Sequence, residues 1–342
     1  MATMNISLPD QMKAWVEAQS ADGRYANSSD YVRDLIRREQ IKAEKIAHMQ
    51  ALVDEARASG LSDRTMEEIF AEARARAIAQ GGADRSAHPT GEKMTHPIHI
   101  GIGGWTYEPW RGAFYPEKLS QKKELEYASR ALTSIEINGT YYSTFKPDSW
   151  MKWRDETPDG FVFAVKASRY CTNRKVLSDM GESMERFLGQ GLSALGDKLG
   201  PINWQFMGTK KFDPVDFEGF LKLLPKEQDG VRLRHALEVR NPSFDTQQFY
   251  DLAAKYGAAI VYAVDDEAPE WPRIDQPTAD FTYARLMSSR EDEPTGMTSA
   301  ELEAVAAQTR GWAQRGEVFA YFIAGAKVRN PAAAQALIKK LG

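Results

Sequence analysis

Two hydrophobic periods alternate along this chain. Thr3-Met4-Asn5-Ile6-Ser7-Leu8 alternates polar and apolar residues, the period of a half-buried strand, with Met4, Ile6 and Leu8 on the inner face. Pro9 then suits the first turn of a helix, where its missing N–H is not needed. Met12, Trp15, Val16 and Gln19 follow at helical spacing up to Gly23. Asn27-Ser28-Ser29-Asp30 is an N-cap cluster for a second helix with Tyr31, Leu35 and Ile36 on its stripe. Further helical patterns run through Ile41, Ile46, Met49, Leu52 and Val53, and then, capped by Ser62-Asp63, through Met66, Ile69 and Phe70. A single short strand does not persist alone in water, and none follows it before residue 80. The economical arrangement pairs it with its own copy in a two-fold homodimer.

After residue 97 the texture changes. Strand-type runs fall at 98–102, 134–138, 161–167, 202–206, 235–240, 259–265, 281–286 and 318–323. Helical stretches follow most of them, around 120–130, 147–156, 180–198, 214–224, 245–256, 298–314 and 331–341, while PEWPRIDQP alone joins the sixth strand to the seventh. Eight strands with helical crossovers in about 245 residues argue for a closed parallel (β/α)8 barrel of the TIM type. The fold class expected is therefore α/β, with a small, mostly α ribbon-helix-helix domain in front. Gly81 to Pro97 has Gly, Pro, Ser and charge but no apolar periodicity, a linker composition. The domains expected are 1–80, a flexible linker over 81–97, and a barrel over 98–342. Met94 reads either as a plain linker residue or as the start of a second reading frame joined to the first.

Composition narrows the setting. The 342 residues carry 44 Lys+Arg against 48 Asp+Glu, so any nucleic-acid contact must come from a local patch. One cysteine, Cys171, permits no intrachain disulfide. No apolar run of membrane-spanning length and no signal-peptide pattern occurs at the start, so a cytoplasmic protein away from membranes is expected.

Strand, helix and capped helix is the ribbon-helix-helix order, and residues 1–80 resemble the ParD family of antitoxins. The resemblance runs from MATMNISLPDQMKAWVEAQ through NSSDYVRDLIRREQ to EEIFAEARARA. It implies a DNA-binding autorepressor whose paired strands offer Thr3, Asn5 and Ser7 to base edges of operator DNA in the major groove. Ser28 and Ser29 would clamp the phosphate backbone at a helix N-terminus. Met66, Ile69 and Phe70 would anchor a ParE-like toxin, helix in groove. From the residues alone, Thr3, Asn5 and Ser7 are more simply the solvated face of an edge strand, and a self-packing helix is the ordinary alternative for the last stripe. Basic residues are interleaved with Glu17, Asp34, Glu39 and Glu44, so DNA affinity would rest on several dimers side by side.

In the barrel the informative feature is where polar residues break the strands. If Ile135 and Ile137 face the helices, Glu136 and Asn138 face inward; the same count turns Lys166, Gln205, Glu238, Arg240 and Arg285 inward, and Asp265 falls where the sixth strand ends. All lie toward carboxyl ends of strands, where barrel enzymes place their chemistry. The bland alternative is a salt-bridged barrel plug. IHIGIGGWTYEPWRGAFYP, SIEINGTYYSTFKPDSWMKWRDETPDGFVFAVKASRY, LGDKLGPINWQF, ALEVRNPSF and DFTYARL resemble the YecE-like family, a domain of unknown function (number 72). That resemblance implies a TIM barrel and brings no reaction with it. QFMG after the fourth strand and YFIAGAKVRNPAAA after the eighth depart from the family's usual turns.

Lys166, Arg240, Arg285 and Lys327 gather positive charge, while Trp105 and Tyr107 add flat faces. An enzyme on an anionic, phosphorylated or nucleotide-like small substrate is the first expectation. In it Lys166 is an electrostatic stabiliser or a base of lowered pKa, and Glu136 or Glu238 a general acid/base. A Schiff-base role for Lys166 would require a depressed pKa. A second reading is a divalent-metal hydrolase with Glu136, Glu238 and Asp265 on Mg or Mn, since His is scarce. A third is a non-catalytic ligand-binding module. His235 is expected to be structural and Cys171 a packed thiol rather than a loop nucleophile.

Overall fold

The computed structural model of the protein describes residues 9–13, 15 and 96–342. Thr3, Asn5, Ser7, Ser28, Ser29, Met66, Ile69 and Phe70 lie outside the described residues. Of the leading domain there remains a helical turn after Pro9, where the Lys13 amide donates to the Pro9 carbonyl at 2.9 Å. By compactness the chain divides into two units, Met1–Thr90 and Gly91–Gly342.

The second unit alternates strand and helix. Its strands are β1 (Ile98–Gly103), β2 (Ser134–Ile137), β3 (Val162–Lys166), β4 (Leu199–Gln205), β5 (Glu227–Gln228), β6 (Val231–Arg232), β7 (His235–Glu238), β8 (Ala259–Ile260), β9 (Tyr262–Val264), β10 (Phe281–Leu286) and β11 (Glu317–Phe322). Its helices are α1 (Glu124–Ala131), α2 (Pro147–Glu156), α3 (Arg169–Thr172), α4 (Gly181–Leu188), α5 (Pro214–Lys222), α6 (Gln247–Tyr256), α7 (Ser299–Ala313) and α8 (Asn330–Leu341). Their boundaries follow local chemistry. Asp213 caps α5 by accepting from the Val215 and Asp216 amides, Thr298 and Glu301 form a capping box on α7, and Gly257 takes the left-handed turn that ends α6.

The parallel sheet runs β8-β7-β4-β3-β2-β1-β11-β10-β9. Its two end strands, β8 and β9, are halves of one stretch interrupted at Val261, whose amide donates to the Leu237 carbonyl at 3.0 Å. That stretch pairs with β7 through Ala259 and Ile260 and with β10 through Tyr262 to Val264, so the sheet closes on itself. Counted that way the barrel has the expected eight staves. Two details differ from the sequence expectation. β4 starts at Leu199 rather than 202, and its pairing with β3 shifts between Phe163 and Val165, where Pro201 has no N–H for the ladder. The expected helix over 180–198 ends at Leu188, because Gly191 adopts a left-handed φ of 98° and a 3-10 turn follows.

Alternation along the staves builds two cores. Ile100, Ile135, Ile137, Phe163, Val165, Ile202, Trp204 and Leu237 face outward to the helices. Val162, Ala164, Ala236, Phe281, Tyr283, Phe319 and Tyr321 fill the barrel itself. Gly101 stands where the interior narrows: a Cβ there would sit 2.0 Å from the Ser134 carbonyl oxygen. Among the described residues no helix is long and apolar enough to cross a membrane.

Candidate functional site

Above the aromatic layer the interior becomes polar. Glu136 at the end of β2 and Glu238 at the end of β7 are fully buried, and Arg285 of β10 lies between them. Its guanidinium donates to both oxygens of Glu238 at 2.8 and 2.7 Å and to Glu136 Oε1 at 3.2 Å. Glu238 also accepts from Arg240 at 2.9 and 2.6 Å, from Gln205 at 2.8 Å and from Asn203 at 3.0 Å. Tyr283 donates its hydroxyl to Glu136 Oε2, and Asn203 reaches the same oxygen at 3.4 Å. Burial alone would raise the Glu238 carboxyl. Arg240 and Arg285, helped by Lys166 and Asn203, outweigh it and hold the group far below the usual carboxylate range. Glu238 is thus a fixed anion whose lone pairs are committed, better suited to aligning two guanidiniums than to moving protons. Arg285 Nε and Asn203 Oδ1 are buried and have no hydrogen-bond partner among the described residues, so the polar layer retains a donor and an acceptor for a further group.

Lys166, the last residue of β3, points into the same layer. Among the described residues its ammonium makes no hydrogen bond or ion pair; it lies over the Tyr141 ring, 4.5 Å from the centroid. Burial, then Arg285, lower its pKa to about 8 against the pull of Glu238 and Glu136. Thr140 fixes the strand end by donating to the Lys166 carbonyl at 2.6 Å. Arg240 reaches toward the rim with its guanidinium 4.0 Å from the centre of the Trp271 ring. A cavity of about 480 Å³ opens between the loops after β2 and β3, lined by Thr140, Tyr142, Ser168, Tyr170, Arg174 and Arg186 among others. It lies beside the charged layer, since neither Glu136, Lys166, Glu238 nor Arg285 lines it.

The remaining expected residues scatter around this centre. Trp105 turns outward and packs edge-on against Trp153 and Phe163. Tyr107 supports the Lys327 ammonium, 4.2 Å above its ring, and burial lowers the Lys327 pKa. Asn138 is half-buried and donates weakly to the Glu136 carbonyl at 3.4 Å. The Asp265 carboxylate accepts from the Glu267 amide at 2.9 Å, closing its own loop. Glu136, Glu238 and Asp265 therefore do not converge as oxygen ligands: two face guanidiniums and the third caps a turn. Among the described residues no three His, Cys, Asp or Glu side chains are placed to hold a metal ion. His235 donates from Nε2 to the Pro225 carbonyl at 2.7 Å and accepts at Nδ1 from Trp204 at 3.1 Å, so it is structural. The Cys171 thiol is buried, which pushes its pKa up to about 12.

Three site residues escaped the sequence reading. Asn203 and Tyr283 follow from the alternation that placed Gln205 and Arg285, two residues away on the same strands. Trp271 sits in the Pro-rich connector, where no period exists to orient it.

Comparison with known proteins divides the chain at the same place. A family model described as "Protein of unknown function DUF72" matches residues 99–342. At the amino-terminal end the chain is 62% identical over 77 residues to antitoxin ParD4 of Caulobacter vibrioides, 22% of this chain and 80% of that protein. It is 29% identical over 150 residues to the UPF0759 protein YecE of Escherichia coli (strain K12), 43% of this chain and half the length of YecE. The crystal structure of a DUF72 family protein from Thermotoga maritima shares the fold with a TM-score of 0.59 at 22% identity, covering 72% of this chain and 99% of that one.

Proposed function

Because the barrel belongs to the DUF72 family and the amino-terminal segment to the ParD antitoxins, we propose a two-part protein: an antitoxin and DNA-binding autorepressor carrying a barrel enzyme for a small anionic substrate. The observation that carries the barrel reading is the charge balance of the polar layer. Two buried carboxylates, Glu136 and Glu238, face three cations, Arg240, Arg285 and Lys166, and the carboxylates are engaged by the two arginines rather than by the lysine. One positive charge is left for a ligand. Lys327 adds a second at the rim. A layer built only as a plug would cancel its charges, since an unpaired cation loses solvation even where, like Lys166, it is half-buried. In this reading Arg240, Gln205 and Lys327 orient the anion, Lys166 stabilises negative charge, and Glu136, less fully engaged than Glu238, exchanges protons.

For the leading domain the support is the identity to a protein named antitoxin ParD4. Its partners are then operator DNA and a ParE-like toxin, and its state a homodimer through the amino-terminal strand.

The barrel reading is tested by a thermal-shift screen of the full chain with phosphorylated sugars, nucleotides and small carboxylates, each beside its neutral analogue. An anionic ligand near a hundredfold excess over its Kd should raise Tm by about 5 °C or more. The shift should shrink in Arg240→Ala and Lys327→Ala. Equal shifts with neutral analogues would remove the basis for an anion site. A ligand that stabilises the barrel and is never turned over would mark it as a binding module.

A further inference from the structure

Resting on the anion-binding reading above, we propose that Lys166 is a nucleophile that forms an imine with a small aldehyde or ketone bearing a carboxylate or phosphate group.

The argument is geometric first. Lys166 closes β3 on the interior side, so its Nζ is carried on a stave of the barrel rather than on a loop. Lys166 is half-buried, and an ammonium so placed beside interior carboxylates ordinarily pairs with one of them. Here both interior carboxylates lie in the same layer, and both are occupied: Glu238 by Arg240, Arg285, Gln205 and Asn203, Glu136 by Tyr283 and Arg285. Among the described residues the lysine is left with the Tyr141 ring face, which holds the chain in place yet accepts no proton from it. A lysine whose role was structural would be tied to a carboxylate or carbonyl, as Lys198 is to the Arg154 and Thr157 carbonyls at 2.8 and 2.7 Å. Arg285 and burial act in the same direction, favouring the neutral amine, which is the nucleophilic form. Arg240 and Lys327 would orient the substrate's anionic end, and the protonated imine keeps on nitrogen the positive charge that Lys166 brings to the layer.

The step balances without a cofactor. The Nζ lone pair attacks the carbonyl carbon, the C=O π pair moves to oxygen, and the nitrogen gives up a proton as the oxygen gains one. The carbinolamine hydroxyl takes up a proton and leaves as water while the nitrogen lone pair forms C=N, and the resulting iminium returns that proton on going to the neutral imine. Amine plus carbonyl gives imine plus water, with no change of oxidation state. Glu136, within the same polar layer, is the group available to pass the proton.

The test is reductive trapping on the full chain. The protein is exposed at neutral pH to limiting glyoxylate, glycolaldehyde phosphate or acetaldehyde with cyanoborohydride, which delivers hydride to the imine. Peptide mass spectrometry then gives the alkylation rate of each lysine. Lys166 should react at least about tenfold faster than the median surface lysine, because a larger share of it is unprotonated. Its rate should rise with pH to a plateau with a midpoint near 8. Preference for glyoxylate or for glycolaldehyde phosphate over acetaldehyde tells which anionic group is selected. In Lys166→Arg, which keeps the charge, the fast site should vanish while the surface rates stay. The proposal is overturned if Lys166 reacts no faster than surface lysines, or equally fast with acetaldehyde. Should it react slowly while inorganic phosphate still raises the Tm of the wild type and not of Arg240→Ala, imine formation fails and the anion site stands. Slow reaction together with no Tm response to either inorganic phosphate or a small carboxylate would remove both.

Discussion

At His235, burial and hydrogen bonding agree on a neutral ring. Nδ1 must be the acceptor for the Trp204 indole and Nε2–H the donor to Pro225, and a protonated ring would turn two donors toward each other. Burial lowers its pKa to about 4 from the ordinary 6.5. In that window the unfolded chain binds a proton that the native chain does not, so stability rises with pH. Its contribution is present above pH 6.5 and is lost as the pH falls toward 4, by up to about 3 kcal/mol. Urea unfolding of the wild type between pH 4 and 7 should show that slope. His235→Gln should be less stable at pH 7 and flatter over the same range, so that its deficit shrinks toward pH 4. Lys166 and Cys171 show the same solvation effect with different consequences: burial moves the lysine toward neutral pH and the thiol away from it.

At the level of strands, Arg285 ties β10 across the interior to β2 and β7, neither of which is its neighbour in the sheet. Arg285→Met would leave two fully buried carboxylates short of a counter-charge, an expected loss of about 3–5 kcal/mol in denaturant unfolding. Adding Glu136→Gln and Glu238→Gln should recover part of it, because those charges are what the arginine compensates. If the triple variant were as unstable as the losses summed, the network would not be acting as a unit. The same elements show what was legible in the sequence. Period-two alternation placed Glu136, Lys166, Gln205, Glu238, Arg240 and Arg285 on the inside, since a stave has only two faces. It did not show which charges pair, because pairing depends on register between staves far apart in the chain. That is why Glu238, a candidate acid/base in sequence, proves to be a clamped anion. Residues on loops, Trp105, Asp265 and Trp271, had no period to follow, and two of these three lie away from the polar layer. The β5–β6 hairpin escaped as well; its two-residue strands, joined through positive φ at Asp229 and Gly230, are too short to carry a pattern.

At the scale of the whole molecule, two families on one chain raise the question of what joins them. The composition of residues 81–97 gives nothing with which to bury a core, so the two parts are proposed to act through tethering rather than through a shared interface. Tethering has measurable consequences. If the amino-terminal strand pairs with its copy, each DNA-bound dimer carries two barrels, and adjacent dimers bring more. Brief proteolysis should then cut first between residues 81 and 97. Sedimentation should show an even number of chains before the cut and single barrels after it. The released barrel should keep its Tm and its response to anions. The released amino-terminal piece should keep operator binding, with an affinity that falls steeply with salt because phosphate neutralisation drives it. A barrel that stays dimeric after the cut would move the pairing surface out of the leading strand. A barrel that loses its anion response on release would mean that the antitoxin segment helps to build the site, and tethering alone would no longer describe this chain.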